Sequence, residues 1–118
     1  MLKESYVAKL KNVPKDAVKI EVGYPSTFAP SEDLLSDFNE FKWKLMKKGL
    51  TEPEARRKAW EQTNFENRYR KKITSNPKII HKLREIKKLS EEKDVYIYCY
   101  CGKPLCPRFV LMDIIAKM

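Results

Sequence analysis

Glycine and histidine are scarce in this sequence, and their scarcity excludes several kinds of site. The 118 residues include three Gly and one His. Three glycines are too few for the Gly-rich phosphate loops of Walker or dinucleotide-binding type, and one His excludes a site built from two imidazoles of one chain. No apolar run approaches the roughly 20 residues of a membrane-spanning helix, and the opening MLKESYVAKL lacks a secretory signal. We therefore expect a cytoplasmic protein that does not contact membranes.

Positive charge is abundant and unevenly distributed. Lys and Arg number 25 against 16 Asp and Glu, a net charge of +9. Residues 42–88 hold 16 basic and 5 acidic side chains, whereas the rest of the chain is slightly acidic. This region fits either the solvated helix faces of a Lys-rich, heat-adapted protein or a surface for a polyanion. The candidate nucleic-acid surface consists of the densest cationic clusters: Arg56, Arg57, Lys58, Arg70, Lys71 and Lys72.

The order of predicted elements indicates an α/β fold. Alternating apolar and polar residues predict a half-buried strand over 18–22, and a shorter strand is predicted over 6–10. Seven β-forming residues predict a central buried strand over 95–101. Three helices are predicted between these strands, with Ser31, Thr51 and Asn76 as their N-caps and a candidate break of the second near residues 63–64. A last helix is predicted over 108–117, with Phe109, Met112, Ile115 and Ala116 facing inward. We expect a single domain over 1–118 with a small, mainly parallel sheet, helices packed on it, and a C-terminal strand–loop–helix.

The loop at residues 101–108 is the candidate site, because ligands of open α/β sheets gather at the carboxyl ends of strands. The helix that follows offers unpaired N–H groups and a partial positive charge to an anion. Gly102 permits close backbone approach, and Lys103 and Arg108 add cations. We predict that Gly102, Lys103 and Arg108 bind a phosphate-bearing ligand, either a nucleotide or a nucleic acid. The alternative is an ordinary connection whose charges face water.

The three cysteines around this loop allow four interpretations. Cys99 and Cys101 fit small buried hydrophobic residues, and Cys101 and Cys106 could also form a disulfide. Cys101 or Cys106 could instead act as a nucleophile, because a helix N-terminus and nearby cations favour the thiolate. Six residues separate Cys101 from Arg108, one more than in loops of the tyrosine-phosphatase type. A zinc site would need His81 as its fourth ligand, and we predict neither a metal nor a cofactor.

Several short motifs are spread along the chain. They are the opening YVAKL, the strand over 18–22 followed by a Pro, the Ala-Pro-Ser at 29–31 with the Leu-Leu at 34–35, the Phe-x-x-Arg-Tyr at 65–69, and the closing triplets at 99–101 and 106–108. Together they resemble the family called domain of unknown function 488, nearly end to end. Cys101 stands where the family usually has Glu, and Pro107 where it usually has His. The resemblance implies these family-motif residues: Arg68, Tyr69, Cys99, Tyr100, Cys106 and Arg108.

Four hypotheses about function follow. The first is binding of a phosphate-bearing ligand at residues 101–108. The second is a thiol-dependent enzyme or redox protein that uses Cys101 and Cys106, with Arg108 holding the substrate. The third is a nucleic-acid-binding module acting through the basic helices at 42–88, and the fourth is a structural or partner-binding protein. These hypotheses include both enzymes and binding proteins.

Overall fold

The protein is built on a three-stranded parallel sheet. The computed structural model describes residues 1–23, 26–99, 103 and 105–118 of the chain. The strands are β1 (Leu2–Tyr6), β2 (Val18–Glu21) and β3 (Val95–Cys99), in the order β1-β3-β2. Both strand pairs are parallel. The predicted α/β class and the central position of the last strand are therefore confirmed.

Helices connect the strands and cover the sheet. They are α1 (Glu32–Lys47), α2 (Glu52–Gln62), α3 (Phe65–Thr74), α4 (Pro77–Glu92) and α5 (Pro107–Ala116). Side chains predicted as caps start three of them: Ser31 accepts a hydrogen bond from the Leu34 N–H, and Thr51 and Asn76 cap α2 and α4 in the same way. Asn64 adopts the left-handed conformation, with φ of 53°, and separates α2 from α3. The predicted break is confirmed, so four helices stand where three were predicted.

The first strand lies earlier in the chain than the sequence predicts. Residues 2–6 pair with β3 in continuous register from Leu2 opposite Val95 to Tyr6 opposite Cys99. The segment Val7–Asn12 forms a 3-10 helix, so the strand predicted over 6–10 is wrong. Pairing with the central strand determines the position of β1, because this pairing satisfies the backbone hydrogen-bonding groups of residues 2–6. The alternation of apolar and polar residues alone did not single out these residues as a strand.

The buried face of α5 also differs from the prediction. Phe109 and Ala116 are exposed rather than inward. The buried residues of α5 are Arg108, Val110, Leu111, Ile114 and Ile115. An Arg was not predicted to be buried, because its charge disfavours burial without partners. Its partners come from distant parts of the chain.

The core lies between the sheet and the helices, and an aromatic group extends it to the carboxyl ends of the strands. Phe65 is 2% exposed. The centroid of its ring lies 4.2 Å from that of the stacked Trp60 ring and 5.2 Å from that of the Phe38 ring, which it meets edge to face. These rings bring α1, α2 and α3 beside the end of β3. No helix in the described part of the chain has the length and apolar character needed to cross a membrane.

Candidate functional site

Two sulfur atoms and one guanidinium group meet where β3 ends and α5 begins. Cys99 is the last residue of β3, and Cys106 is the N-cap residue of α5. Their Sγ atoms are 2.9 Å apart, farther than the roughly 2.05 Å of a disulfide bond. Arg108 Nη1 donates a hydrogen bond to Cys99 Sγ at 2.9 Å. We call Cys99, Cys106 and Arg108 the thiol cluster.

Arg108 is buried and fully engaged with the protein's own groups. The residue is 2% exposed, and its Nε donates to Glu4 Oε2 at 3.2 Å. Its guanidinium carbon lies 4.3 Å from the centroid of the Phe109 ring, close enough for a cation–π interaction. Burial by itself would lower the pKa of Arg108, but the hydrogen bond with Cys99 and the charge of Cys106 raise that pKa above its ordinary value. Arg108 therefore stays cationic beside the two sulfurs.

The loop between β3 and α5 is held from one side by α2. Arg56 donates through Nε and Nη2 to the Leu105 carbonyl oxygen, at 3.1 and 2.6 Å. Lys103 forms an ion pair with Glu52, with 3.3 Å between Nζ and Oε1. Both contacts join a described residue of the loop to α2. They fix the chain just before Cys106 and so position its thiol.

A cavity of about 240 Å³ opens beside the thiol cluster. Cys99 and Cys106 form part of its wall. Aromatic and aliphatic side chains of α1, α2 and α3 form much of the rest, including Leu35, Phe38, Trp60 and Phe65. We call this space the thiol cavity. It is an apolar pocket, partly open to solvent, with sulfur atoms in its wall.

The structure brings together Cys99, Cys106 and Arg108 from the predicted site. Lys103 of the predicted loop site instead pairs with Glu52. Two other members of that site, Cys101 and Gly102, lie outside the described residues, as does Tyr100 of the family motif. The sequence analysis missed Glu4 as a partner of Arg108. The available signal was a carboxylate on a strand that pairs with the central strand. The sequence analysis placed the first strand over 6–10, after Glu4, and so did not use this signal.

The cations of the candidate nucleic-acid surface divide into two groups. Arg56, Arg70 and Lys72 turn toward acceptors within the protein: Arg70 bonds Asp113 at 2.7 Å, and Lys72 donates to the Ala29 carbonyl. Burial lowers the pKa of Lys72. The other three are exposed, namely Arg57, Lys58 and Lys71. Nucleic-acid binding through this surface stays a prediction.

Two residues of the Phe-x-x-Arg-Tyr motif, Arg68 and Tyr69, connect α3 to other parts of the fold. Tyr69 is fully buried, and its hydroxyl donates to the Phe28 carbonyl at 2.6 Å. Burial, followed by the charge of Cys106, raises the pKa of Tyr69 well above its ordinary value. Arg68 pairs with Asp37 of α1 at 3.0 Å. This motif therefore stabilises the helical layer that carries the wall of the thiol cavity.

Metal-binding groups were also sought. Within the ranges that the structure describes, no three side chains of His, Cys, Asp or Glu converge in a way that could hold a metal ion. His81 instead faces Glu85 on the exposed side of α4, with Nε2 and Oε1 3.0 Å apart.

Comparison with known protein families gives a match that covers most of the chain. The model of the family DUF488-N3a, described as the active DUF488-N3 subclade, matches residues 7–118. No curated protein and no solved structure matches the chain. The matched range includes all of the thiol cluster and the wall of the thiol cavity, whereas Glu4 lies before its start.

Proposed function

The chain belongs to the domain of unknown function 488 family, and from this premise we propose that it is a thiol-dependent redox protein whose active pair is Cys99 and Cys106. One observation carries the proposal: the two sulfurs lie 2.9 Å apart, with a buried guanidinium at 2.9 Å from one of them. The sequence analysis named Cys101 and Cys106, and Cys101 lies outside the described residues; among those described, Cys99 is the cysteine whose sulfur contacts Cys106.

The proposed chemistry is reversible formation of one disulfide. Oxidation joins the two sulfurs and releases two protons and two electrons, and a disulfide substrate that takes them up is cleaved to two thiols. The attacking species is a thiolate, and a nearby cation or helix N-terminus stabilises it. Arg108 supplies the cation at Cys99, and α5 begins directly after Cys106. The site thus has a charged nucleophile and a resolving thiol in contact.

Phosphate binding at residues 101–108 is less well supported. Arg108 is 2% exposed and already binds Glu4 and Cys99. Lys103 pairs with Glu52. A phosphate would have to displace a carboxylate from each cation, whereas thiol chemistry uses the guanidinium in its present position.

Redox titration of the intact protein tests the proposal. The wild type and the Cys101→Ser variant are equilibrated in buffers of defined reduced and oxidised dithiothreitol, remaining thiols are alkylated, and peptides are assigned by mass spectrometry. We expect Cys99 and Cys106 to become protected together, at one potential, in both proteins. Cys99→Ser and Cys106→Ser should each abolish this two-electron transition, with circular dichroism confirming that the variants fold.

Two outcomes would contradict the proposal. Independent titration of Cys99 and Cys106 would show that they are not a redox pair. Loss of the transition in Cys101→Ser would transfer the active role to the pair predicted from the sequence, Cys101 and Cys106.

A further inference from the structure

We infer that the thiol cavity is the substrate site and that it takes one aromatic ring of a small uncharged molecule, whose reactive atom meets Cys99 and Cys106. This inference rests on the proposed redox function and names its substrate class. Three features support it: the volume of the cavity, the chemistry of its wall, and the position of the sulfurs.

The volume of the cavity limits the size of the enclosed group. The cavity measures about 240 Å³. An apolar cavity of roughly 150 Å³ is enough to bind benzene, whereas sites for drug-sized ligands begin at roughly 300 Å³. One ring with a short substituent therefore fits, and a nucleotide does not fit inside.

The wall of the cavity favours an uncharged ring. Phe38, Trp60 and Phe65 present aromatic surface, and Phe38 and Phe65 are in edge contact at 70° between ring planes. Offset and edge-to-face contacts with such rings stabilise a bound aromatic group. Arg56 also lines the cavity, but its guanidinium donates twice to the Leu105 carbonyl and lies 5.3 Å from the Phe38 ring centroid. A charged ligand would lose hydration against the apolar wall of the thiol cavity, at a high cost in free energy.

The sulfurs define where the reactive atom of the substrate lies. Cys99 and Cys106 belong to the same wall as the aromatic rings. For an aromatic disulfide, the Cys99 thiolate attacks one sulfur, a mixed disulfide forms, and the first aromatic thiolate leaves. The Cys106 thiol then loses its proton and attacks Cys99 Sγ, the protein disulfide forms, and the second aromatic thiolate leaves.

Two neutral disulfides distinguish this site from an unselective thiol pair. The Cys101→Ser protein is treated with 4,4′-dithiodipyridine or with 2-hydroxyethyl disulfide, and each rate is divided by that of N-acetylcysteine with the same probe. We expect the normalised rate of the aromatic probe to be roughly two- to tenfold higher, the factor that one aromatic contact provides. Trp60→Gln should bring the two normalised rates closer together, because it removes one aromatic surface of the cavity.

The second tryptophan of the chain provides the matched control. Trp43 is 57% exposed on α1 and does not line the cavity. Trp43→Gln should keep the preference for the aromatic probe. It also leaves Trp60 as the single tryptophan, so its fluorescence reports directly on the cavity. We expect a saturable change when this variant is titrated with benzyl alcohol, a neutral one-ring compound that does not react with thiols.

The outcomes separate this inference from the proposed function. Equal normalised rates for the two disulfides, with the Cys99–Cys106 disulfide formed by both, would overturn the inference and leave the redox function standing. A fluorescence signal that does not saturate would also overturn it. Saturable binding of benzyl alcohol without disulfide formation by either probe would support the ligand class and refute the redox function.

Discussion

Replacing Arg108 by Met removes the buried charge of the thiol cluster while keeping an unbranched side chain in its place. The guanidinium donates to Cys99 Sγ at 2.9 Å and is nearly inaccessible to water. A hydrogen bond to a charged group contributes about 1.5–3 kcal/mol. If this difference favours the Cys99 thiolate over the thiol, it changes the thiolate population at neutral pH by a factor of roughly 10 to 100.

Alkylation kinetics measure this population. Iodoacetamide is added to the reduced protein near pH 7, and peptide mass spectrometry gives the rate at each cysteine. We expect alkylation of Cys99 to be slower in Arg108→Met by roughly 10- to 100-fold, because only the thiolate reacts and the cation that stabilises it is gone. Arg57→Met is the matched control, since Arg57 is exposed on α2 and should leave the rate unchanged.

The result that would refute this reasoning is equally specific. If Cys99 in Arg108→Met reacts as fast as in the wild type, with the same dependence on pH, the guanidinium does not stabilise the thiolate. Unfolding by urea separates this result from a loss of structure. The Glu4 side chain is about one-third exposed, so water can hydrate its carboxylate when the guanidinium of Arg108 is removed. We therefore expect the variant to remain folded.

Three further predictions concern other described contacts. Tyr69→Phe should lower the free energy of unfolding by about 1–2 kcal/mol, since it removes a buried hydrogen bond. Because the pKa of Tyr69 is raised in the fold, the wild type should lose this advantage as the pH rises above 10, the ordinary value for Tyr. Asp113→Asn should reduce resistance to urea at pH 7; because the ion pair with Arg70 lowers the pKa of Asp113, the difference from the wild type should start to shrink below pH 3.8 and vanish only below the lowered pKa. Glu4→Gln should speed alkylation of Cys99 by up to about fivefold, since it removes the carboxylate that competes with the thiolate for Arg108, and a partly exposed ion pair contributes up to about 1 kcal/mol. Urea unfolding checks the first two, and alkylation checks the third.

Local sequence signals predicted the elements that local interactions determine. The caps at Ser31, Thr51 and Asn76 start helices as expected, and the β-forming run from Val95 forms the central strand. The position of β1 could not be predicted in this way, because pairing with β3 across more than 90 residues determines it.

The candidate site was predicted in part for the same reason. Cys106 and Arg108 could be assigned to a strand–loop–helix junction from their spacing alone. The pairing of Cys106 with Cys99, and of Arg108 with Glu4, depends on tertiary contacts that no motif encodes. The burial of Arg108 was unexpected because an isolated Arg avoids the core, and only the assembled partners make its burial favourable.

The contact between Arg108 and Glu4 spans 104 residues of sequence, almost the whole chain. Glu4 leaves the ribosome well before Arg108, so the cation can reach its carboxylate only after the whole segment between them has been made. Contacts this distant form late, after the loop they close has been ordered. Until then, Arg108 is not held by its carboxylate beside Cys99. Under the proposed function, Cys99 is therefore activated only in the folded protein, when the cavity around it exists.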